Sequence, residues 1–102
     1  KIADTYQDQN NLSKALEFSK LQWVLVEKLI AADSSNIEFQ TSRFLCLSRL
    51  IAIEVQLGNM GAARTYGRKI IFNLRPLAEQ GLLHGQQENW ISSTESLLKI
   101  LG

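Results

Sequence analysis

The stretch Asn11–Asn36, NLSKALEFSKLQWVLVEKLIAADSSN, limits most strongly what this chain can become. Its apolar residues fall on two stripes of helical spacing. Leu12, Ala15, Leu16, Ser19, Trp23, Val26 and Ile30 make one, and Phe18, Leu21, Leu25, Leu29 and Ala32 make its neighbour. A helix on the surface of a globule shows one apolar stripe. Two stripes predict a helix packed between neighbours on both sides, with Trp23 and Leu25 buried and touching different helices. That is the pattern of a helix inside a stack.

The rest of the chain repeats the theme. Lys1 to about Asp8 reads as the end of one helix, and Gln9-Asn10-Asn11 as a turn with Asn11 as the N-cap of the next. The polar run Asp33–Asn36 breaks the long helix. A further helix is expected over 37–57, with stripes Phe39, Cys46, Leu50, Ile53, Leu57 and Phe44, Leu47, Ile51, Val55. Gly58 stands where a helix C-terminal glycine belongs, and Asn59 where the following cap belongs. The next helix starts near Met60. Pro76 lacks an N–H, so the helix either stops near Leu74 with Pro76 opening another turn, or kinks and ends at Gly81; the kink is preferred because LAEQG continues the apolar spacing. A loop at 82–85 leads to a last helix over 86–101, with Trp90, Ile91, Thr94, Leu97, Leu98 and Leu101 turned inward. No segment alternates with a period of two, so no strand is expected.

Composition agrees and narrows the function classes. One Pro and six Gly suit long helices with short turns, and 102 residues suit one domain. A net charge of +1 gives no reason to expect nucleic acid or an anionic membrane. No apolar run reaches the roughly 20 residues of a membrane span, and the expected location is cytoplasmic. The single Cys46 excludes an internal disulfide and a cysteine-based zinc site. The chain begins at Lys1 in what reads as the middle of a helix, which suggests part of a longer protein.

A shift of 48 residues lays Asn11, Leu12 and Ala15 on Asn59, Met60 and Ala63, and Leu29 on Leu77. The unit is helix, tight turn, helix. IADTYQDQNNLSKALEF resembles the tetratricopeptide repeat, with Ile2, Ala3, Tyr6 and Ala15 at that family's packing positions. In the second copy Leu50 and Ala63 fit, while Ile51 replaces the small residue and Glu54 the aromatic. EKLIAADSSNIEFQ resembles the long-helix variant found in arrays in large bacterial proteins. The resemblance implies an all-α right-handed stack of antiparallel helix pairs, about five helices. Residues 1–36 would form a first repeat lacking the start of its first helix, 37–81 a second, and 86–101 a cap or the start of a third.

The family's peptide groove, carried over position by position, implicates Asp4, Gln7 and Asp8 in the first copy and Ser48, Arg49, Ala52 and Gln56 in the second. Members that clamp a terminal carboxylate use Lys and Asn, and the matching Asp4 and Ala52 do not supply them. The expected function is a non-catalytic module binding a protein or peptide partner, with self-association through open repeat ends as a further expectation. The alternative is an intramolecular structural or regulatory segment packed against a neighbouring catalytic or signalling domain.

Residues with catalytic potential read as structural. His84 lies alone in LLHGQQ, without the positioned partner that acid–base chemistry needs. Cys46 sits on an apolar stripe as a small hydrophobe. Trp23 and Trp90 stand at core spacing. Arg64, Arg68 and Arg75, with Lys69, would suit an acidic peptide or phosphate, but a solvated face is the preferred reading. The carboxylates form no close pair. GNMG at 58–61 lacks the lysine of a phosphate loop. No catalytic residue, cofactor or metal is therefore expected.

Overall fold

A computed structural model describes the backbone from Ile2 to Gly102 and the side chains from Asn11 onward. The described residues are helical, with no strand. Four α-helices follow in order: α1 (Ile2–Ala32), α2 (Ile37–Gln56), α3 (Met60–Glu79) and α4 (Trp90–Leu101), the last preceded by a 3-10 turn at Gly85–Asn89. The expected count of five is corrected to four. The predicted turn at Gln9-Asn10-Asn11 is absent, and the backbone runs through it as one helix of 31 residues. Gln and Asn disfavour a helix interior by only tenths of a kcal/mol each, and neither Gly nor Pro is present to stop it.

The other boundaries follow from local chemistry. The Asp33–Asn36 turn ends α1, and Asn36 Oδ1 accepts from the Phe39 N–H at 3.3 Å to cap α2. Gln40 Nε2 donates to the Ser34 carbonyl at 3.1 Å, tying turn to helix. α2 and α3 end alike. Gly58 and Gly81 both take positive φ, 83° and 72°. Gly58 N–H donates to Val55 O and Asn59 N–H to Glu54 O, while Gly81 N–H donates to Ala78 O and Leu82 N–H to Leu77 O. This paired 6→1 and 5→2 closure needs a left-handed residue, which glycine adopts without a steric cost.

Asn59 does not cap α3 with its side chain. Its Nδ2 instead donates to Glu54 Oε1 at 3.0 Å. Glu54 is buried, so this bond satisfies part of a carboxylate held away from water. α3 passes through Pro76 to Glu79. The carbonyl that Pro76 leaves unbonded belongs to Phe72, whose side chain is exposed, so water can take that bond.

α2, and not α1, is the helix packed on several sides. Leu47 and Leu50 are 0% exposed, and Cys46, Ile51 and Ile53 are also buried. On its α1 side, Arg43 Nε donates to Glu27 Oε1 at 2.6 Å. Towards α4, Phe44 stacks on Trp90 with centroids 4.0 Å apart and planes within 6°, and Gln87 Nε2 donates to Thr41 Oγ1 at 3.2 Å. Towards α3, Leu47 joins Ala63, Ile70 and Leu74 in one cluster. Only Glu38, Leu45, Arg49, Ala52 and Gln56 face outward, one stripe along the helix.

The first stripe of α1 is the inward one, with Ser19 and Ile30 buried. The second is open. Phe18 is 61%, Leu21 64%, Leu25 60% and Leu29 47% exposed. The expectation of a doubly buried α1 is therefore corrected. Trp23 is half-buried and meets Tyr66 of α3 edge-on, centroids 5.9 Å apart, but Leu25 faces solvent.

The 48-residue shift has a structural counterpart. Ala15 and Ser19 on α1 correspond to Ala63 and Gly67 on α3. Ser19, Ala63 and Gly67 are all buried, and small residues let helices approach closely. At Gly67 a Cβ would lie 2.7 Å from Leu98 Cδ2 of α4.

Two outcomes follow from this packing. Gly67→Val should destabilise the fold by about 1–3 kcal/mol in urea titration, against little change for Thr65→Val on the open side of α3. Asn59→Ala should cost about 1–2 kcal/mol by stranding Glu54, and Glu54→Gln in that background should recover part of it.

Candidate functional site

The open stripe of α2 borders a groove of about 340 Å³ between α1 and α2. Leu25, Val26, Leu45 and Cys46 form its apolar lining, with Gln22, Ser42 and Arg49 as the polar groups. Arg49 is positioned by Gln22, whose Oε1 accepts from Nη1 at 2.9 Å. The remaining guanidinium N–H groups lie at the surface, where a carboxylate can take them bidentately.

The sequence-derived groove residues are divided by this geometry. Arg49 and Gln56 share the open stripe with Ala52. Ser48 lies off it, lining a smaller space of about 160 Å³ between α2, α3 and α4 with Phe44, Ile51 and Leu97. The side chains of Asp4, Gln7 and Asp8 lie outside the described residues. Leu25, Leu45 and Gln22 were not singled out from the sequence as groove residues. Leu45 belongs to neither apolar stripe of α2, and that was the available signal.

Other candidates are occupied by structural work. Arg64 Nη1 donates to the Leu101 carbonyl at 2.9 Å, closing the end of α4 where cations are favoured. Arg75 comes within 3.9 Å of Glu95 between exposed side chains, a pair of small energetic weight. Lys69 Nζ sits 5.7 Å from the Trp23 ring centroid, within cation–π range. Arg68 remains beside Phe72 at the open side of α3. The basic residues thus do not converge on one anion site. His84 is exposed, and its N–H donates to Gln87 Oε1 at 3.2 Å as the chain enters the 3-10 turn. Among the described residues no group of three or more His, Cys, Asp or Glu is placed to hold a metal ion. No described helix is long and apolar enough to cross a membrane.

Trp23 carries a cost. Its Nε1–H is buried with no hydrogen-bond partner, a loss of about 1–3 kcal/mol offset by the ring's packing against Tyr66 and Lys69. Burial also raises the Tyr66 phenol pKa, with nearby Glu54 adding to the rise.

A scan against protein-family models and searches of the curated proteins and of the solved structures found no match for this chain.

Cys46 forms the floor of the groove. Burial pushes its thiol pKa up, and Arg49 opposes this more weakly. A thiol whose folded pKa exceeds its unfolded value, about 8.5, stabilises fully below that value and loses the contribution as pH rises through the folded pKa. Urea titrations should therefore show stability falling more steeply above pH 9 for the wild type than for Cys46→Ala. A disulfide-exchange reagent should react at least about tenfold more slowly with folded than with urea-unfolded protein at pH 7.

Proposed function

We propose that this chain is a non-catalytic protein-interaction module that receives a peptide segment along the open face of α2. The observation that carries the reading is the α1–α2 groove, where Leu25 and Leu45 offer an apolar seat beside the Gln22-positioned Arg49. Such a site fits a segment with one large apolar anchor and a carboxylate nearby. Affinity comes from desolvating the anchor, and Arg49 sets orientation and register.

The tetratricopeptide-like reading belongs with this proposal. It is supported by the matching of Ala15 and Ser19 with Ala63 and Gly67, and by the way α2 packs between α1 and α3 while also stacking on Trp90. In that arrangement α2 and α4 are first helices of successive pairs, and α1 and α3 are second helices. The same reading carries the right-handed stack and the cytoplasmic setting.

A second reading is favoured by the uncovered stripe of α1. In α3 the shift places Tyr66, Asn73 and Leu77 at the positions of Phe18, Leu25 and Leu29, and these are half-buried against the α1–α2 layer. A segment that covers α1 in the same way would make this chain a structural part of a larger assembly.

Selection from a displayed peptide library should enrich sequences pairing an aromatic or aliphatic residue with Asp or Glu, binding at micromolar affinity. Arg49→Glu and Leu45→Glu should each weaken such a peptide at least about tenfold, a loss of ~1.4 kcal/mol or more. Arg68→Glu on α3 should leave it unchanged. Enriched peptides indifferent to Arg49 and Leu45 would sink the proposal.

A further inference from the structure

We infer that the open stripe of α1 pairs two copies of this chain, helix against helix, antiparallel about a twofold axis that passes between Leu21 and Leu25. Phe18, Leu21, Leu25 and Leu29 run along one side of α1 for three turns, each about half exposed or more, and no described helix covers them. Monomer surfaces seldom keep large apolar side chains in so continuous a row.

The pattern of the stripe selects a second copy. Reversed on itself, Phe18 meets the partner's Leu29, and Leu21 meets the partner's Leu25, so the row is nearly self-complementary. Its charged flanks follow the same register. Glu17 falls beside the partner's Lys28, and Lys14 beside the partner's Asp33 at the C-terminal end of α1. All four residues are exposed, and the twofold axis makes each contact twice. A parallel pairing in register would set Glu17 on Glu17 and Lys28 on Lys28. Opposite charges in the antiparallel register fix alignment more than they add affinity.

The size of the stripe sets the strength. Four such side chains offer on the order of 400–500 Å² per copy, below the roughly 800 Å² per partner of a standard stable interface. The dimer is therefore weak, forming in the micromolar range. Because the surface is isologous, association closes at two copies. Leu25 is common to the stripe and the groove, but the pairing does not rest on the peptide-binding reading, and Arg49 and Leu45, which lie outside the stripe, separate the two.

The test is sedimentation equilibrium of the full 102-residue chain from about 1 to 500 µM. The expected result is a reversible passage from the 11.5 kDa monomer to twice that mass. Leu21→Glu with Leu25→Glu should raise the dissociation constant at least about 100-fold while the helical circular dichroism stays unchanged. Glu17→Lys and Lys28→Glu should each weaken the dimer about three- to tenfold, and combining them should restore it to within about twofold of the wild type. Arg49→Glu should leave it intact. Monomer at every concentration, or a dimer indifferent to the Leu21 and Leu25 changes, overturns the inference. So does a double charge variant no stronger than the single ones.

Discussion

The three-sided burial of α2 is the constraint on which the other elements depend. α1 packs chiefly on α2, and α4 packs chiefly on α3. α1 would therefore lose most of its packing without α2, while α4 depends on α3 being held in place by α2. Fully burying one leucine is worth about 1.5–3 kcal/mol, and Leu47 and Leu50 are both sealed. Gly67 lets α4 come close to α3 at Leu98, and Leu47 and Leu50 share one cluster with Ala63, Ile70 and Leu74 of α3. The polar bonds around α2 then fix angle and register. Arg43–Glu27 ties it to α1, Asn59–Glu54 to the turn into α3, and Thr41–Gln87 to the approach of α4.

This economy bears on function. Many side chains capable of chemistry are already committed to structure. Glu54 is buried under Asn59, Arg64 holds the end of α4, and Cys46 is buried with its thiol pKa raised. What reaches solvent in an organised form is a groove with one oriented guanidinium, and next to it an apolar row on α1. The groove suits recognition by shape and one charge. The row suits another helix. Leu25 belongs to both, lining the groove and standing near the middle of the row.

Much of the fold was legible because its punctuation is local. Asn36, Gly58 and Gly81 mark helix ends through bonds between residues no more than five apart, and those positions read correctly from the chain. The turn at Gln9-Asn10-Asn11 misled because asparagine caps helices only where something else stops them. The two stripes of α1 also misled. Periodicity records which residues can be buried, not which have a neighbour. Arg49 and Gln56 came only from the groove positions that the repeat resemblance implies, and both lie on the open stripe of α2. Ser48 is next to Arg49 in sequence and differs only because α4 crosses beside it, a long-range placement that no local pattern encodes. At Asn59 the cap fails for a local reason, because its side chain donates instead to the buried carboxylate of Glu54 five residues earlier.

The placement of the two tryptophans has a consequence for how the chain can be watched. Trp23 sits at the seam of α1 with α3, against Tyr66 and Lys69, and Trp90 sits on Phe44 at the seam of α2 with α4. The two indoles are thus native optical probes of two different seams. They have different neighbours, so replacing either one by Phe leaves an emission assigned to a single seam. Coincident transitions from the two probes would mean that the layers part together, and separate transitions would mean that helices peel from one end, as neighbour-coupled stacks do. The chain therefore carries its own gauge of whether it unfolds as a globule or as an array.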